Sequence, residues 1–132
     1  MIGLDTNVLI RYLTQDDPRL SPKASALIEQ RLSAENPGFV SVVTMAEIAW
    51  VLARSYLRSA PQIADDIERI LGAETLVVER ERQVFEAMML LRESSAAFTD
   101  ALIGLLSARA GCSHTLTFDK KASRLPGFEL LS

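Results

Sequence analysis

Ile2-Gly3-Leu4-Asp5-Thr6-Asn7-Val8-Leu9-Ile10-Arg11-Tyr12-Leu13, close to the start of the chain, contains a short apolar run that ends at an acid. Apolar side chains then recur with the period of a helix. This pattern predicts a buried strand, a tight turn and a helix, with Asp5 at the carboxyl end of the strand. Because ligands bind at the carboxyl ends of strands in open parallel sheets, Asp5 is well placed for chemistry. The alternative is a helix N-cap, since Asp, Thr and Asn are all favoured there.

The rest of the chain repeats this alternation of strand and helix. Strands are predicted at residues 39–43, 75–78 and 115–118, and residues 128–131 suggest a further edge strand. Apolar side chains at helical spacing fill the segments between them. We therefore expect an α/β fold of three layers, with a central parallel sheet of four to five strands and helices on both faces. The 132 residues are expected to form a single domain, residues 1–132.

Composition excludes several classes of protein. No apolar run is long enough for a membrane span and no secretory signal is recognisable, so we expect a cytoplasmic protein without membrane contact. One cysteine, Cys112, excludes an internal disulfide and a cysteine-rich zinc site. The net charge of −3 argues only weakly against nucleic acid, because carboxylates that hold a metal would add to the negative count.

Four acids occupy corresponding junctions of the predicted elements. Asp5 and Asp119 follow strands, whereas Glu47 and Asp100 fall in the first turns of helices. A parallel sheet would bring such positions to one edge, where several carboxylates repel one another unless a divalent cation neutralises them. Mg²⁺ and Mn²⁺ prefer carboxylate oxygens and water as ligands. Such ions can generate a hydroxide and hold a phosphate for in-line attack.

Three of these acids also have a simpler, local explanation. Glu47 follows Thr44 by three residues, which is the spacing of a capping box. Asp100 would interact favourably with a helix macrodipole, and Asp119 could be a turn acid. Only the joint placement of all four acids at one sheet edge favours a catalytic site.

Four short segments contain these acids: Leu4-Asp5-Thr6-Asn7-Val8-Leu9, Thr44-Met45-Ala46-Glu47, Phe98-Thr99-Asp100-Ala101-Leu102-Ile103 and Thr117-Phe118-Asp119. Together they resemble the acidic motifs of PIN-domain ribonucleases, in particular those of VapC-type toxins from toxin–antitoxin pairs. The resemblance covers essentially the whole chain. Where many relatives carry alanine this chain has Thr99, which we expect to cap the helix.

The resemblance implies an endoribonuclease that depends on Mg²⁺ or Mn²⁺ and leaves a 5′-phosphate and a 3′-hydroxyl. Asp5, Asp100 and Asp119 would be metal ligands. Glu47 would bind the metal, directly or through water, or orient the attacking water.

The resemblance also implies supporting residues and protein partners. Thr6, Asn7 and Thr117 would hydrogen-bond a carboxylate or a metal-bound water. The partners would be a second copy, forming a homodimer, and a small antitoxin whose C-terminal segment blocks the acidic pocket, often with a basic side chain.

Some cations and some conspicuous side chains are weaker candidates. Phosphate contacts are assigned to four basic residues, for each of which a solvated charge is an equal alternative: Arg11, Lys120, Lys121 and Arg124. His114, the one histidine, lies a strand's length from Asp119 and is expected to be a surface or packing residue. Cys112 is expected to be a small buried filler, and Trp50 a core or partner-face residue.

The same acidic residues also allow or exclude other functions. A catalytically silent binding module, a PIN nuclease of RNA processing without an antitoxin, and a nuclease of structured DNA all stay open. A receiver-like module needs an Asp after the third strand, where this chain has Glu79, and a haloacid-type phosphatase needs an Asp where it has Asn7. The sequence does not name the RNA that would be cut.

Overall fold

The computed structural model describes residues 1–94 and 96–132. Within them, five strands and six α-helices follow in the order β1 Ile2–Gly3, α1 Thr6–Thr14, α2 Leu20–Ala26, β2 Gly38–Val40, α3 Val42–Arg54, α4 Ala60–Gly72, β3 Leu76–Val78, α5 Glu81–Glu93, α6 Phe98–Arg109, β4 Thr115–Thr117 and β5 Phe128–Leu130. A π-helical turn, Leu27–Arg31, continues α2, and a 3-10 turn, Ala122–Arg124, precedes β5. The α/β class and the parallel strands expected from the sequence are confirmed.

The strands form two parallel sheets rather than the single sheet of four to five strands that we expected. One sheet has the order β1-β2-β3, and β4 pairs separately with β5. β1 has only two residues because the chain leaves the strand at Asp5 to begin α1, so its outer edge offers little backbone for a further ladder. β5 instead packs on α6, where a Cβ on Gly104 would overlap the ring of Phe128.

Two helical crossovers bring the polar junctions of the larger sheet to one edge. α1 and α2 connect β1 to β2, and α3 and α4 connect β2 to β3. Because the strands are parallel, the residues that follow them emerge on the same side. These residues are Asp5, Ser41 and Glu79, and the backbone N–H of Glu79 donates to the carbonyl of Val40 at 2.9 Å.

The core lies between this sheet and the apolar faces of the helices. Fully buried side chains come from α1, α3, α4 and α5, among them Leu9, Met45, Ile48, Ile67 and Met88. Burying a side chain of this size contributes roughly 1.5–3 kcal/mol relative to exposure, so the helical stripes are the main source of stability. No helix in the described ranges is both long and apolar enough to cross a membrane.

The second strand is shorter than we expected, because the helix after it begins early. β2 ends at Val40, and the hydroxyl of Ser41 accepts a hydrogen bond from the N–H of Thr44 at 3.1 Å. A second acceptor comes from across the sheet, where Glu79 Oε1 accepts from the N–H of Val42 at 2.9 Å. These two oxygens satisfy the first turn of α3, which outweighs the strand preference of its β-branched residues.

Two side chains that the sequence analysis set aside are exposed. Cys112 is exposed, which contradicts the expected buried filler. Trp50 is 55% exposed, so of the two expected positions, core or partner face, the structure excludes the core.

Candidate active site

Asp5 is both a helix cap and an exposed carboxylate. It is the N-cap of α1, and its Oδ1 accepts a hydrogen bond from the N–H of Val8 at 3.1 Å. Among the described residues, no group donates to Oδ2. The cap therefore uses one oxygen and leaves the other available to a ligand.

Glu47 is held beside the start of α1. The hydroxyl of Thr6, the residue after Asp5, donates a hydrogen bond to Glu47 Oε1. The capping box expected between Thr44 and Glu47 is wrong, because α3 begins at Val42 and places Glu47 in its second turn. The exposed Glu47 carboxylate therefore does not cap its own helix and is hydrogen-bonded to α1 instead.

Asp100 lies in the first turn of α6 and is half-buried. Burial raises the pKa of its carboxyl group, and the negative charge of Asp119 raises this pKa further. Within residues 1–94 and 96–132, nothing donates a hydrogen bond to the Asp100 carboxylate. A partly desolvated carboxyl group beside a second acid is the arrangement that a bound cation stabilises.

Thr99 does not cap this helix. α6 begins one residue earlier, at Phe98, after an N-cap residue, Ala97, that has no side-chain acceptor. Phe98 is only 3% exposed, so packing of its ring rather than a polar cap holds the helix start. Asp100 is consequently the third residue of the helix.

The Asp119 side chain stabilises the turn after β4 and lies near enough to Asp100 for its charge to act on that residue. Its Oδ1 accepts hydrogen bonds from the N–H groups of Lys121 at 2.7 Å and Ala122 at 3.2 Å. The hydroxyl oxygen of Thr117 accepts from the backbone N–H of Asp119 at 3.0 Å, so Thr117 supports the Asp119 backbone. The side chain of Asp119 stays exposed.

The acids thus form two local groups. In the first group, Thr6 connects Glu47 by a hydrogen bond to the end of α1 that Asp5 caps. In the second group, the charge of Asp119 raises the pKa of Asp100. In the described part of the chain, no three Asp, Glu, His or Cys side chains are close enough to form a metal cage. The donors are nevertheless all carboxylate and hydroxyl oxygens, which fit Mg²⁺ or Mn²⁺, since Mg²⁺ usually takes one or two carboxylates and keeps several waters.

The four predicted phosphate-binding cations have different environments. Arg11 is held in an ion pair, with its Nη1 3.0 Å from Asp16 Oδ2. Asp16 also accepts from the hydroxyl of Tyr56 at 2.7 Å, and this hydrogen bond is the main reason that its pKa falls to about 2. Lys120, Lys121 and Arg124 are exposed and form no ion pair among the described residues.

Sequence reasoning missed a basic groove next to the first acidic motif. It encloses about 270 Å³ between α1 and α2, over a floor of Val8, Leu20, Ala24 and Leu27. Its polar lining residues are Asn7, Arg11, Lys23 and Arg31. The eight-residue spacing of Lys23 and Arg31 was a usable signal, because it places both on one side of a helix.

A larger pocket of about 480 Å³ lies away from the acids. α5 and α6 contribute mostly apolar side chains to it, and His114 lies at its rim. His114 Nδ1 is 2.8 Å from the hydroxyl of Ser113. None of the four candidate acids lines this pocket.

Comparison with known proteins identifies the family of the chain. A family model described as PIN domain matches residues 2–127. The matched segment contains Asp5, Glu47, Asp100 and Asp119. A search of curated proteins finds no significant match.

Proposed function

Because the chain belongs to the PIN-domain family, we propose that it is a metal-dependent endoribonuclease that hydrolyses RNA phosphodiester bonds. PIN domains are generally nucleases and typically use divalent metals. The observation that carries the proposal is Asp100, a half-buried carboxylate next to Asp119 with no donor among the described residues.

In this proposal each acid has a separate task. Asp100 and Asp119 would hold Mg²⁺ or Mn²⁺, together with the free oxygen of Asp5. When bound, the cation lowers the pKa of a water molecule and neutralises charge on the phosphate. Glu47 accepts a proton from the attacking water or orients it, and Thr6 fixes the Glu47 carboxylate by its hydrogen bond.

Three exposed cations would attract the RNA. Lys120, Lys121 and Arg124 lie within five residues after Asp119 and form no ion pair within the described ranges. Arg11 is a poorer candidate, because Asp16 already balances its charge. Asn7 and Thr117 would support the site through hydrogen bonds to water or to the backbone. Phosphate contacts position the strand, whereas base contacts select it.

The test is cleavage of total RNA by the purified chain with Mg²⁺ or Mn²⁺. We expect discrete fragments that vanish with EDTA and in Asp100→Asn. The matched control is Asp65→Asn, which changes an exposed acid on α4 that pairs with Arg92 and belongs to none of the four motifs. Fragments that persist in Asp100→Asn contradict the site. A folded chain that neither cuts RNA nor binds metal is the catalytically silent PIN module.

We also propose that the chain is the toxin of a toxin–antitoxin pair and acts in the cytoplasm. The basic groove beside Asn7 supports a partner segment that is acidic and apolar, since its floor is apolar and its lining carries Lys23 and Arg31 besides the ion-paired Arg11. Expression should arrest growth, and Asp5→Asn should relieve the arrest. Equal arrest by both forms contradicts the toxin role, while cleavage without any growth arrest favours a PIN nuclease of RNA processing.

A homodimer is part of the same proposal. Phe85 is 49% exposed on α5, and Met89 lies one turn further at the rim of the larger pocket. Exposed apolar side chains at helical spacing support a protein contact surface. Sedimentation of the wild type and Phe85→Asp tests this, since the substitution should reduce the sedimenting mass to that of one chain.

A further inference from the structure

The exposed face of α3 carries an aromatic side chain that the proposed mechanism does not use. Trp50 is the one tryptophan in the sequence, and it is 55% exposed. Arg54 lies one turn further along, with its guanidinium carbon 5.2 Å from the centre of the indole ring. Since residues three or four apart share a side of a helix, Glu47, Trp50 and Arg54 form one stripe.

This stripe begins at the candidate active site. Trp50 follows Glu47 by three residues, which corresponds to about 4.5 Å along the helix axis. Glu47 is hydrogen-bonded to Thr6, beside Asp5. Trp50 therefore leaves the helix less than one turn beyond the residue that reaches the start of α1.

An exposed indole ring is suited to stacking against a nucleobase. Single-stranded nucleic acids stack their bases on exposed aromatic side chains, largely independently of sequence. Arg54 covers one face of the indole and orients it, which leaves the opposite face for a second flat ring. Arg54 forms no ion pair in the ranges that the structure describes, so its charge is available to a phosphate.

We propose that Trp50 is a stacking platform for the base of a nucleotide adjacent to the scissile phosphate, with Arg54 orienting the ring. The inference rests on the proposed nuclease function and deepens it, because it assigns a residue that binds a base of the RNA. A base inside a duplex has both faces occupied and cannot stack on the indole.

Intrinsic fluorescence tests the contact directly, because Trp50 is the one tryptophan of the chain. Asp100→Asn protein, which is expected to bind without cutting, is titrated with a short single-stranded RNA. The control is an abasic oligomer with the same number of phosphates. We expect saturable quenching by the RNA and none by the abasic oligomer. Unchanged fluorescence, while anisotropy of a labelled copy shows that the RNA binds, overturns the proposal.

Kinetics provides the second test. Trp50→Ala should raise KM roughly 5- to 140-fold, which is the measured range for loss of one stacked base, with little change in kcat. Trp50→Phe should restore most of the loss, because a ring remains. Leu130→Ala, which removes an exposed apolar side chain from β5 outside the proposed active site and the proposed dimer surface, is the control and should leave KM unchanged.

The outcomes separate this inference from the proposed function. If the wild type cuts RNA and Trp50→Ala has the same KM, stacking is refuted and the nuclease stands. If the folded wild type cuts no RNA, the function fails and the stacking role fails with it. If Trp50→Ala lowers the sedimenting mass but not the RNA affinity, the stripe contacts a second copy of the chain and the proposal is overturned.

Discussion

Replacing Asp5 should separate stability from catalysis, because its two oxygens have different tasks. Oδ1 caps α1 through the N–H of Val8. Asparagine keeps that acceptor and alanine removes it. Loss of a cap costs about 0.5–2 kcal/mol, and loss of the charge at the helix N-terminus adds about 0.3–1 kcal/mol. Asp5→Ala should therefore lower the free energy of unfolding by about 0.8–3 kcal/mol, and Asp5→Asn, which loses only the charge, by about 0.3–1 kcal/mol.

These free energies convert into measurable melting temperatures. The unfolding entropy is about 2.1 cal/mol/K per residue, so the 132 residues give about 0.28 kcal/mol/K. Asp5→Ala should then melt about 3–11 °C below the wild type, and Asp5→Asn about 1–4 °C below it. Circular dichroism in EDTA measures both values without a contribution from bound metal.

Activity should follow a different order. Both substitutions remove the free carboxylate oxygen, so neither variant should cut RNA with Mg²⁺. An Asp5→Asn variant that melts as low as Asp5→Ala would show that the cap is not what Oδ1 contributes. Cleavage retained by either variant would show that Asp5 is outside the active site.

Three further predictions follow from other contacts. Thr6→Val should reduce cleavage about 10–100-fold, because the Glu47 carboxylate loses the donor that orients it; Thr6→Ser should restore it, and equal rates in all three proteins contradict the role. Leu57 has a φ of 51°, in the left-handed region that asparagine adopts more readily than leucine, and its side chain is 84% exposed. Leu57→Asn should therefore raise the free energy of unfolding in urea by about 0.5–1 kcal/mol. A loss of stability would show that the leucine makes a needed contact. Asp66 is 4% exposed beside Arg58, and burial raises its pKa above 3.8. Its ionisation therefore opposes folding. The free energy of unfolding of the wild type, relative to that of Asp66→Asn, should increase as the pH falls from neutral through the raised pKa towards 3.8. Urea titrations that give the same difference between the two proteins at every pH refute this.

Local sequence rules succeeded where neighbouring residues supply the contacts. Alternating apolar runs and helical periods predicted the α/β class and the junctions that hold Asp5, Asp100 and Asp119. The N-cap alternative for Asp5 was also readable, because its partner, Val8, is three residues away. Such contacts form within a single turn, so the residue types alone predict them.

Glu47 shows where these rules stop. Thr44 and Glu47 have the spacing of a capping box, yet α3 begins earlier because Ser41 and Glu79 satisfy its first turn. Glu79 accepts its hydrogen bond from the N–H of Val42, which is 37 residues away in sequence, so no local pattern predicts that contact. The buried environment of Asp66 likewise depends on packing that its own helix does not reveal.

The sequence by itself therefore determined the class of fold, the position of each acid along the chain and the oxygen chemistry that suits a divalent cation. Tertiary structure alone decided which of these side chains meet. Thr6 reaches Glu47 across 41 residues, and Asp16, engaged by Arg11, also binds Tyr56 from 40 residues away. The reason is physical: a side chain's local preference depends on its neighbours in sequence, whereas its partner, its exposure and its pKa depend on what the packed helices bring beside it.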